Sequence, residues 1–263
     1  MSTLLITGAT SGLGRYVAVE LVRAGHVVLV HGRDADRTER LVEELRAEGD
    51  AEGFVADLAS LARVRELAAH IGDAHPELDV LINNAAVGAG PSGAGRELST
   101  DGHELRLAVN YLAPVVLTRA LLPVLRANAP ARIVNVGSAG QEPLDPADPE
   151  LTRRYSGLSA YCRSKFALAA HTFTLAEELT GSGVAVNVVH PATHMDTAMV
   201  LDGGFTPRHT VADGAPGVLA LATRDLGSGR YFDGTRAARA HEAVYDPAVR
   251  GRLTAVTDQL LRV

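Results

Sequence analysis

A tyrosine and a lysine four residues apart are the first candidates for chemistry in this sequence. Tyr161 and Lys165 belong to YSGLSAYCRSKF (155–166), a stretch with helical character. Four residues make about one turn of an α-helix, so the phenol and the ammonium would share one face. A single pair of this kind is more often a surface contact than a phenol whose acidity is tuned. Tyr155, a rival phenol, is followed four residues on by Ser159 rather than lysine, and we interpret it as a lid residue.

A glycine-rich segment near the amino terminus is a second candidate. TGATSGLGR runs from Thr7 to Arg15, after the first predicted strand and into the first predicted helix, with glycines at Gly8, Gly12 and Gly14. Glycine permits positive φ angles and close approach of phosphates, and the free N–H groups of a helix start attract anions. The spacing is neither GxGxxG nor a P-loop. The alternative is a tight turn that only packs strand on helix.

The end of the second predicted strand, VHGRD, bears on which dinucleotide such a loop would bind. NAD sites hold the adenosine ribose with an acid about 20 residues on, whereas an arginine accommodates a 2′-phosphate. Gly32 stands at the acid position and Arg33 follows with a planar fork of donors. Arg15 could add a second positive charge. We therefore expect NADP(H) rather than NAD(H), unless Arg33 caps or pairs locally and Asp34 turns toward the ribose.

Polar residues also follow the third and fourth predicted strands. Asp57 could accept from the adenine amino group, or it could cap the helix that starts near Ser60. Asn83 and Asn84 end the fourth strand, where buried amides must find partners. They indicate either a structural hydrogen-bond knot or a ribose contact.

Short apolar runs rich in β-branched residues alternate with amphipathic stretches along the whole chain. This alternation predicts one α/β domain over 1–263, with a doubly wound, mostly parallel seven-stranded sheet covered by helices on both faces. The predicted strands are 4–7, 27–31, 53–57, 79–83, 132–137, 184–190 and 230–232. The predicted helices lie near 12–24, 35–48, 60–72, 101–126, 159–180, 211–223 and 247–261.

Three aperiodic segments are expected to border a ligand site. Segments 87–102 and 139–157 leave predicted strand ends, where open α/β sheets bind ligands. Segment 193–210 is apolar with glycines, and we interpret it as a mobile substrate lid. Its possible apolar walls are Met195, Met199, Val200 and Phe205, which could equally be ordinary core contacts.

Composition and charge exclude several classes of function. Apolar residues make up 46% of the 263, which argues against disorder. The net charge of −6 does not favour binding to nucleic acid or to anionic lipid. The amino terminus lacks the pattern of a signal peptide, and no run of about 18 apolar residues predicts a membrane span.

The metal-ligating residue types do not form a metal motif. Cys162 is the single cysteine, so no internal disulfide can form, which fits a reducing cytoplasm. A lone cysteine is usually a packed thiol. His190 and His194 are four apart, but Pro191 lies between them at a strand exit. No HExxH or paired-cysteine pattern is present, so no metal is expected. We expect His190 to end a strand beside the cofactor.

Together these motifs resemble the short-chain dehydrogenase/reductase family, and most of all its retinol-dehydrogenase-like branch. The resemblance rests on TGATSGLG (7–14), DL (57–58), NNAA (83–86), VNYLAP (109–114), VGSAG (136–140), YCRSK (161–165) and HPA (190–192). It covers nearly the whole chain and does not imply that retinol is the substrate. The sequence departs from the family pattern at Ala86 and Ala192, where glycine is usual, and at Asp196, because the usual threonine is shifted to Thr197.

The resemblance implies a Rossmann-type oxidoreductase that interconverts a carbonyl and an alcohol with NADP(H). Tyr161 would be the general acid/base, and Lys165 would lower its pKa and bind the nicotinamide ribose. Ser138 would hydrogen-bond the substrate oxygen, and Asn110 would anchor a water that links Lys165 to solvent. The cofactor-binding residues would be Gly8, Thr10, Ser11, Gly12, Leu13, Gly14, Arg33, Asp57, Leu58, Asn84, Ala85, Asn110, Tyr161, Lys165, Pro191 and Thr193.

The resemblance also implies partners and leaves rival functions open. A small carbonyl or alcohol would be the substrate, and a homodimer or homotetramer is expected. One rival is a catalytically silent regulator or scaffold of the same fold that senses the dinucleotide. Another is a member of the family that runs epimerisation or dehydration on the same site.

Overall fold

Eight strands form one sheet in the spatial order β3-β2-β1-β4-β5-β6-β7-β8 in the computed structural model, which describes residues 1–262. The first seven pair in parallel, and β8 runs antiparallel to β7. The strands are β1 (Thr3–Thr7), β2 (Val27–Gly32), β3 (Ala51–Val55), β4 (Leu78–Asn83), β5 (Ala131–Val136), β6 (Val184–His190), β7 (Arg230–Asp233) and β8 (Arg236–Ala238). The strand order reverses between β1 and β4, which places a ligand crevice beyond their carboxyl ends.

The near-continuous apolar strands are explained by helices on both faces of the sheet. Leu4 and Ile6 of β1 pack into one core with Val17, whereas Leu5 points to the other core and packs with residues such as Leu81. Successive side chains of a strand alternate between faces, so a strand covered on both sides must be apolar at every position. The predicted doubly wound α/β fold is confirmed.

Nine α-helices lie within residues 1–262. They are α1 (Gly12–Arg23), α2 (Ala35–Arg46), α3 (Leu61–Ala74), α4 (Leu105–Leu107), α5 (Ala113–Ala127), α6 (Gly157–Glu178), α7 (Ala198–Asp202), α8 (Val211–Thr223) and α9 (Pro247–Leu260). A π-helical turn, Ala108–Leu112, joins α4 to α5, and a 3₁₀ turn, Glu242–Tyr245, precedes α9. The predicted helix 101–126 therefore begins later and carries a π turn at Asn110.

The sequence-based prediction of seven strands is wrong by one. The missed strand, β8, is only three residues long and exposed throughout, so it has no apolar pattern to reveal it. It pairs with β7 through a tight turn in which Gly234 has a φ of 57°. β3 also begins and ends two residues earlier than predicted, so Asp57 lies beyond the strand. Val263, the last residue of the predicted domain, lies outside the described residues.

One helical stretch corrects the expectation that no segment could span a membrane. Leu105–Ala127 is long and apolar enough by length and composition alone. However, 72% of its most apolar window is buried inside the protein, where α5 packs on α3 and on the sheet. We interpret it as a core helix.

Candidate active site

The glycine loop between β1 and α1 is shaped by backbone contacts that only glycine allows. Gly8 and Gly12 have φ angles of 65° and 53°, in the left-handed region that favours glycine. A Cβ atom on Gly14 would lie 2.3 Å from the Gly8 carbonyl oxygen. Ser11 is the N-cap of α1, and no side chain of the described part of the chain makes a capping hydrogen bond there. The first N–H groups of α1 are therefore available to an anion, and the loop fits a dinucleotide diphosphate.

The end of β4 is tied to this loop by a knot of hydrogen bonds. The Thr7 hydroxyl accepts from the backbone N–H groups of Asn84 and Ala85, each at 3.0 Å. The Asn84 amide donates to the carbonyl oxygens of Thr7 at 2.8 Å and Gly8 at 3.2 Å. Of the two roles left open for this asparagine, the structure shows the structural hydrogen-bond knot, in which Asn84 holds the glycine loop in place.

Asn83 serves a second knot inside the sheet. Its amide nitrogen donates to the Thr118 hydroxyl at 3.1 Å and to Asn135 Oδ1 at 2.9 Å. Asn135, on β5, donates in turn to the Thr172 hydroxyl of α6 at 2.8 Å. These bonds fix β5 relative to the helix that carries Tyr161, although the buried Asn83 Oδ1 finds no partner within residues 1–262.

Ser138, Tyr161 and Lys165 meet at the carboxyl end of β5. Ser138 follows the strand by two residues, and Tyr161 and Lys165 lie in the first three turns of α6. Lys165 Nζ donates to the Val136 carbonyl oxygen at 2.8 Å and lies 5.9 Å from the centroid of the Tyr161 ring. The predicted helical face is thus present, and it points to the crevice side of the sheet.

Burial is the main influence on the pKa of Tyr161. Desolvation by the surrounding protein raises it above the ordinary value near 10, and hydrogen bonding with Ser138 opposes that rise. Burial lowers the pKa of Lys165 to about 8, because its ammonium has only a backbone carbonyl as partner. Hydrogen bonding with Ser138 favours the phenolate of Tyr161.

Asn110 braces the site from the π turn. It is fully buried, its Oδ1 accepts from the Val87 N–H at 2.7 Å, and its amide donates to the Val87 carbonyl at 2.9 Å. The same amide donates at 3.0 Å to the hydroxyl of Ser164, which donates to the Tyr161 carbonyl at 2.7 Å. Both amide protons are therefore used, so the predicted water would have to donate to Oδ1 or be held by the backbone.

Comparison with known proteins identifies the family. Residues 2–202 match the family model described as short chain dehydrogenase. The chain belongs to the short-chain dehydrogenase family. It is 33% identical to human retinol dehydrogenase 13, over 98% of this chain and 84% of that protein.

Solved structures of similar chains agree with this assignment. An uncharacterized protein from Mycobacterium paratuberculosis is 30% identical with a TM-score of 0.83, over 100% of this chain and 94% of the other. The Pseudomonas aeruginosa RhlG/NADP active-site complex is 28% identical with a TM-score of 0.73, over 88% and 94%. Further similar chains were solved with NADP and with NADH.

In this short-chain dehydrogenase, the end of β2 excludes the usual acid by steric contact. A Cβ atom on Gly32 would lie 2.3 Å from the Thr38 hydroxyl oxygen and 2.6 Å from Thr10 Cγ2. Asp34 is the N-cap of α2 and accepts from the Arg37 N–H at 2.9 Å. The acid nearest to the ribose position is thus committed to capping.

The arginines around this position divide between two roles. Arg33 is exposed and makes no side-chain hydrogen bond to any of residues 1–262. Arg15 makes a bidentate ion pair with Glu44 at 2.6 and 2.7 Å, so its predicted role as a second positive charge for the ligand is corrected. Arg37, rather than Arg15, lies beside the glycine loop as a second positive charge, since its Nη2 donates to the Thr10 carbonyl at 3.4 Å.

Asp57 and Leu58 lie just past β3, at the far side of the crevice. Asp57 is exposed, and its Oδ1 accepts from the Ala59 N–H at 2.9 Å. Ser60, rather than Asp57, caps α3 by accepting from the Arg63 N–H at 3.4 Å. Leu58 is buried, so it supports this turn from inside.

The lid segment lies against both the glycine loop and loop 87–102. The Cβ position of Gly12 is 3.1 Å from Thr197 Cγ2, and that of Gly88 is 2.6 Å from Met199 Cγ. Asp196 instead accepts from the Val211 N–H at 2.7 Å and helps to start α8. The shifted threonine, Thr197, is thus the residue of the lid that faces the glycine loop.

The remaining lid residues have mixed surroundings. Phe205 is 38% exposed and stacks on His194 with ring centroids 4.8 Å apart, whereas Met195 packs against a core. His190 ends β6, as expected, and its Nε2 lies 3.1 Å from the Thr193 hydroxyl, next to buried Pro191. Within residues 1–262 no group of three or more metal-ligating side chains is found.

His31, at the end of β2, is a supporting residue that the sequence reasoning missed. Its Nδ1 accepts from the Gly8 N–H at 3.3 Å, and Nε2 lies 3.0 Å from the Ala56 carbonyl oxygen. These partners require the neutral ring with its proton on Nε2. A histidine closing a buried apolar strand was the available signal, because such a ring must find partners for both nitrogens.

We expect His31 to make the protein less stable in mild acid. Burial lowers its pKa below 6.5, so the unfolded chain binds the proton more readily. The stability it contributes is complete above about pH 6.5 and falls as the pH drops below that value toward the lowered pKa. Urea unfolding of wild type and His31→Gln at several pH values between about 7.5 and 5 measures this. Equal pH slopes for the two proteins would contradict it.

Proposed function

We propose that this protein is an NADP(H)-dependent oxidoreductase that interconverts a carbonyl and an alcohol. The observation that supports this most is the meeting of Ser138, Tyr161 and Lys165 beside a glycine loop that fits a diphosphate. The site lies at the reversal of strand order, where doubly wound sheets bind dinucleotides.

Each residue of the site has a defined part in the proposed reaction. The glycine loop and the start of α1 would hold the diphosphate, and Arg33 would hold the adenosine 2′-phosphate. NADP(H), when bound, supplies or accepts the hydride. Tyr161 moves a proton between its hydroxyl and the substrate oxygen, and Ser138 hydrogen-bonds the same oxygen as charge develops. Lys165 would bind the ribose hydroxyls of the coenzyme.

The electrostatics of the site favour Tyr161 as an acid at neutral pH. Because desolvation raises its pKa, the phenol is protonated, which is the form that reduction of a carbonyl requires. Oxidation of an alcohol needs the phenolate, so it should gain more than reduction from alkaline pH. A positive charge introduced beside the phenol, such as an oxidised nicotinamide ring, would lower this pKa again.

The direct experiment is turnover by the purified protein. NADPH or NADH is mixed with a panel of aldehydes and ketones, and oxidation of the coenzyme is followed by its near-ultraviolet absorbance. We expect turnover with at least one carbonyl and a preference for NADPH. Tight NADPH binding without turnover on any carbonyl or alcohol would instead support the silent, dinucleotide-sensing alternative.

The coenzyme preference should depend on Arg33. Replacing it with aspartate removes a donor fork and adds repulsion, so Arg33→Asp should weaken NADPH binding by about tenfold or more and leave NADH binding nearly unchanged. Dissociation constants from coenzyme fluorescence titrations measure both. Arg37→Ala should show a smaller loss in the same direction.

Arg15→Ala is the matched control for this experiment, because Arg15 is already paired with Glu44. It should leave the ratio of NADPH to NADH affinity within about twofold of wild type, since it removes only an exposed ion pair. An unchanged ratio in Arg33→Asp would refute the proposed role of Arg33.

Assembly and location stay predictions. We propose a cytoplasmic homodimer or homotetramer, on the basis of the resemblance and of the cysteine content. Light scattering of the purified protein measures the assembly.

A further inference from the structure

The carbonyl oxygen of Ser138 is held by two side chains from outside the expected catalytic set. Gln141 Nε2 donates to it at 2.8 Å, and the Tyr231 hydroxyl donates to it at 3.2 Å. Ser138 lies beyond the last residue of β5, so its carbonyl has no donor from a neighbouring strand. These two bonds replace that missing sheet hydrogen bond. They fix the peptide plane that leaves the serine.

The Ser138 hydroxyl is oriented by the same short turn. Its Oγ accepts from the Gly140 N–H at 3.1 Å, so the hydroxyl proton is directed elsewhere, and the interaction of this side chain with Tyr161 lowers the pKa of the phenol. Gln141 closes this turn by folding its amide back onto the Ser138 carbonyl. A shift of Gln141 therefore moves both the donor to Oγ and the serine itself.

Gln141 is oriented in turn by the carboxyl-terminal part of the chain. Its Oε1 accepts from the His241 N–H at 3.1 Å, and the neighbouring Ala240 N–H donates to the Tyr245 hydroxyl at 2.9 Å. Tyr231 belongs to β7 and is buried, with its ring in the main core. Contacts from about 90 to 100 residues downstream thus define the geometry of Ser138.

Open space lies beside the turn that carries Ser138. A cavity of about 270 Å³ lies against the turn, between it and the β7–β8 hairpin. Its lining includes Ala139, Gln141, Tyr231 and His241. Because there is open space on that side, the turn can relax when its hydrogen bonds are removed.

We infer that Gln141 and Tyr231 are positioning residues that hold the Ser138 hydroxyl in place against the Tyr161 phenol and the substrate oxygen. This inference rests on the proposed function of the same site. It assigns the segment from β7 to Tyr245 a part in catalysis, although that segment lies outside residues 2–202 that match the family model.

Two variants remove the bonds while keeping the side-chain volume. Tyr231→Phe deletes one donor, and Gln141→Met deletes the other together with the acceptor for His241. Each should lower kcat by about three- to tenfold, as expected for one hydrogen bond, and leave KM for NADPH within about twofold. The control Ser228→Ala removes a hydrogen bond from the Val186 N–H just before β7, away from the Ser138 turn, and it should leave kcat unchanged.

A titration of Tyr161 with NADP⁺ bound separates positioning from a merely structural role. Tyrosinate absorbance is recorded as the difference between each protein and its Tyr161→Phe counterpart. The groups that face the phenol are Lys165 and Cys162 on its own helix and Ser138 across from it, with Glu142 beside Cys162. Weakening the Ser138 bond in Tyr231→Phe or Gln141→Met should move the midpoint to higher pH, because that bond favours the phenolate.

The outcomes are distinct. A lower kcat with a raised midpoint in both variants supports the inference, and Ser228→Ala should show neither. An unmoved midpoint overturns it, even if the melting temperature falls. Gln141 is only partly buried, so Gln141→Met decides should Tyr231→Phe fail to fold. If the wild type turned over no substrate, the proposed function would fail, and the titration would still test the positioning.

Discussion

Replacing Tyr161 with phenylalanine is expected to lower kcat by about 10³-fold, within the range seen for a lost general acid/base. The change removes one oxygen atom and keeps the ring that packs over Lys165. NADPH binding should stay within about threefold, because the coenzyme contacts proposed for the glycine loop and Arg33 are untouched. Stopped-flow measurement of hydride transfer and a fluorescence titration of NADPH measure the two effects separately.

Tyr155→Phe is the control for this prediction. Its hydroxyl donates to Glu104 Oε1 at 3.1 Å, and desolvation raises its pKa to about 12. Tyr155 therefore points into a structural network, and its loss should leave kcat within about threefold. Turnover that survives in Tyr161→Phe, or that disappears in Tyr155→Phe, would mean that the wrong phenol has been assigned.

Local sequence patterns were enough to predict most of the strands and helices that position the site. Seven strands and the main helices were found because buried parallel strands are apolar throughout and helices are amphipathic, and both signals lie within a few residues. β8 has no such signal, since all three of its residues are exposed. The places of the glycine loop and Ser138 also follow from local sequence, because each lies just beyond the end of a strand.

The errors at the site come from partners that are distant in sequence. Arg15 was predicted to face the ligand, but its partner Glu44 lies on another helix 29 residues away. The partner of Lys165 was also missed, because the Val136 carbonyl that holds its ammonium can be known only from the packing of α6 on β5. Gln141 and Tyr231 were missed for the same reason. Residue type and spacing indicate which interactions a side chain could make, and the fold determines which partner it actually contacts.

Glu104→Gln is expected to destabilise the protein by about 3–5 kcal/mol, the cost of breaking a buried ion pair. The side chains of Glu104 and Arg106 are each 2% exposed and lie 3.4 Å apart. Glu104 Oε2 also accepts from the Leu107 N–H at 2.8 Å at the start of α4, while Arg106 donates to the Gly88 carbonyl at 3.0 Å. Without the carboxylate, a buried guanidinium keeps only Glu97, which is largely exposed, as an anionic partner.

This network also joins the two loops that border the site. Arg106 holds loop 87–102 through Gly88, and the Tyr155 hydroxyl donates from segment 139–157 to Glu104. A Cβ atom on Gly157 would lie 2.1 Å from the Ala89 carbonyl oxygen, so the two loops are in direct backbone contact. Glu104→Gln should therefore also raise KM for the substrate while leaving the affinity for NADPH unchanged.

Thermal unfolding measures the stability loss, which should lower the melting temperature by about 10 °C in a chain of this size. The control is Glu66→Gln, because Glu66 pairs with Arg63 at 2.7 Å but the two side chains are 63% and 66% exposed. An exposed pair is worth less than about 1 kcal/mol, so this variant should melt close to wild type. The double variant Glu104→Leu with Arg106→Met should recover much of the loss, because it leaves no unpaired buried charge. If Glu104→Gln melted no lower than Glu66→Gln, the loops would be held by packing alone and the ion pair would be dispensable.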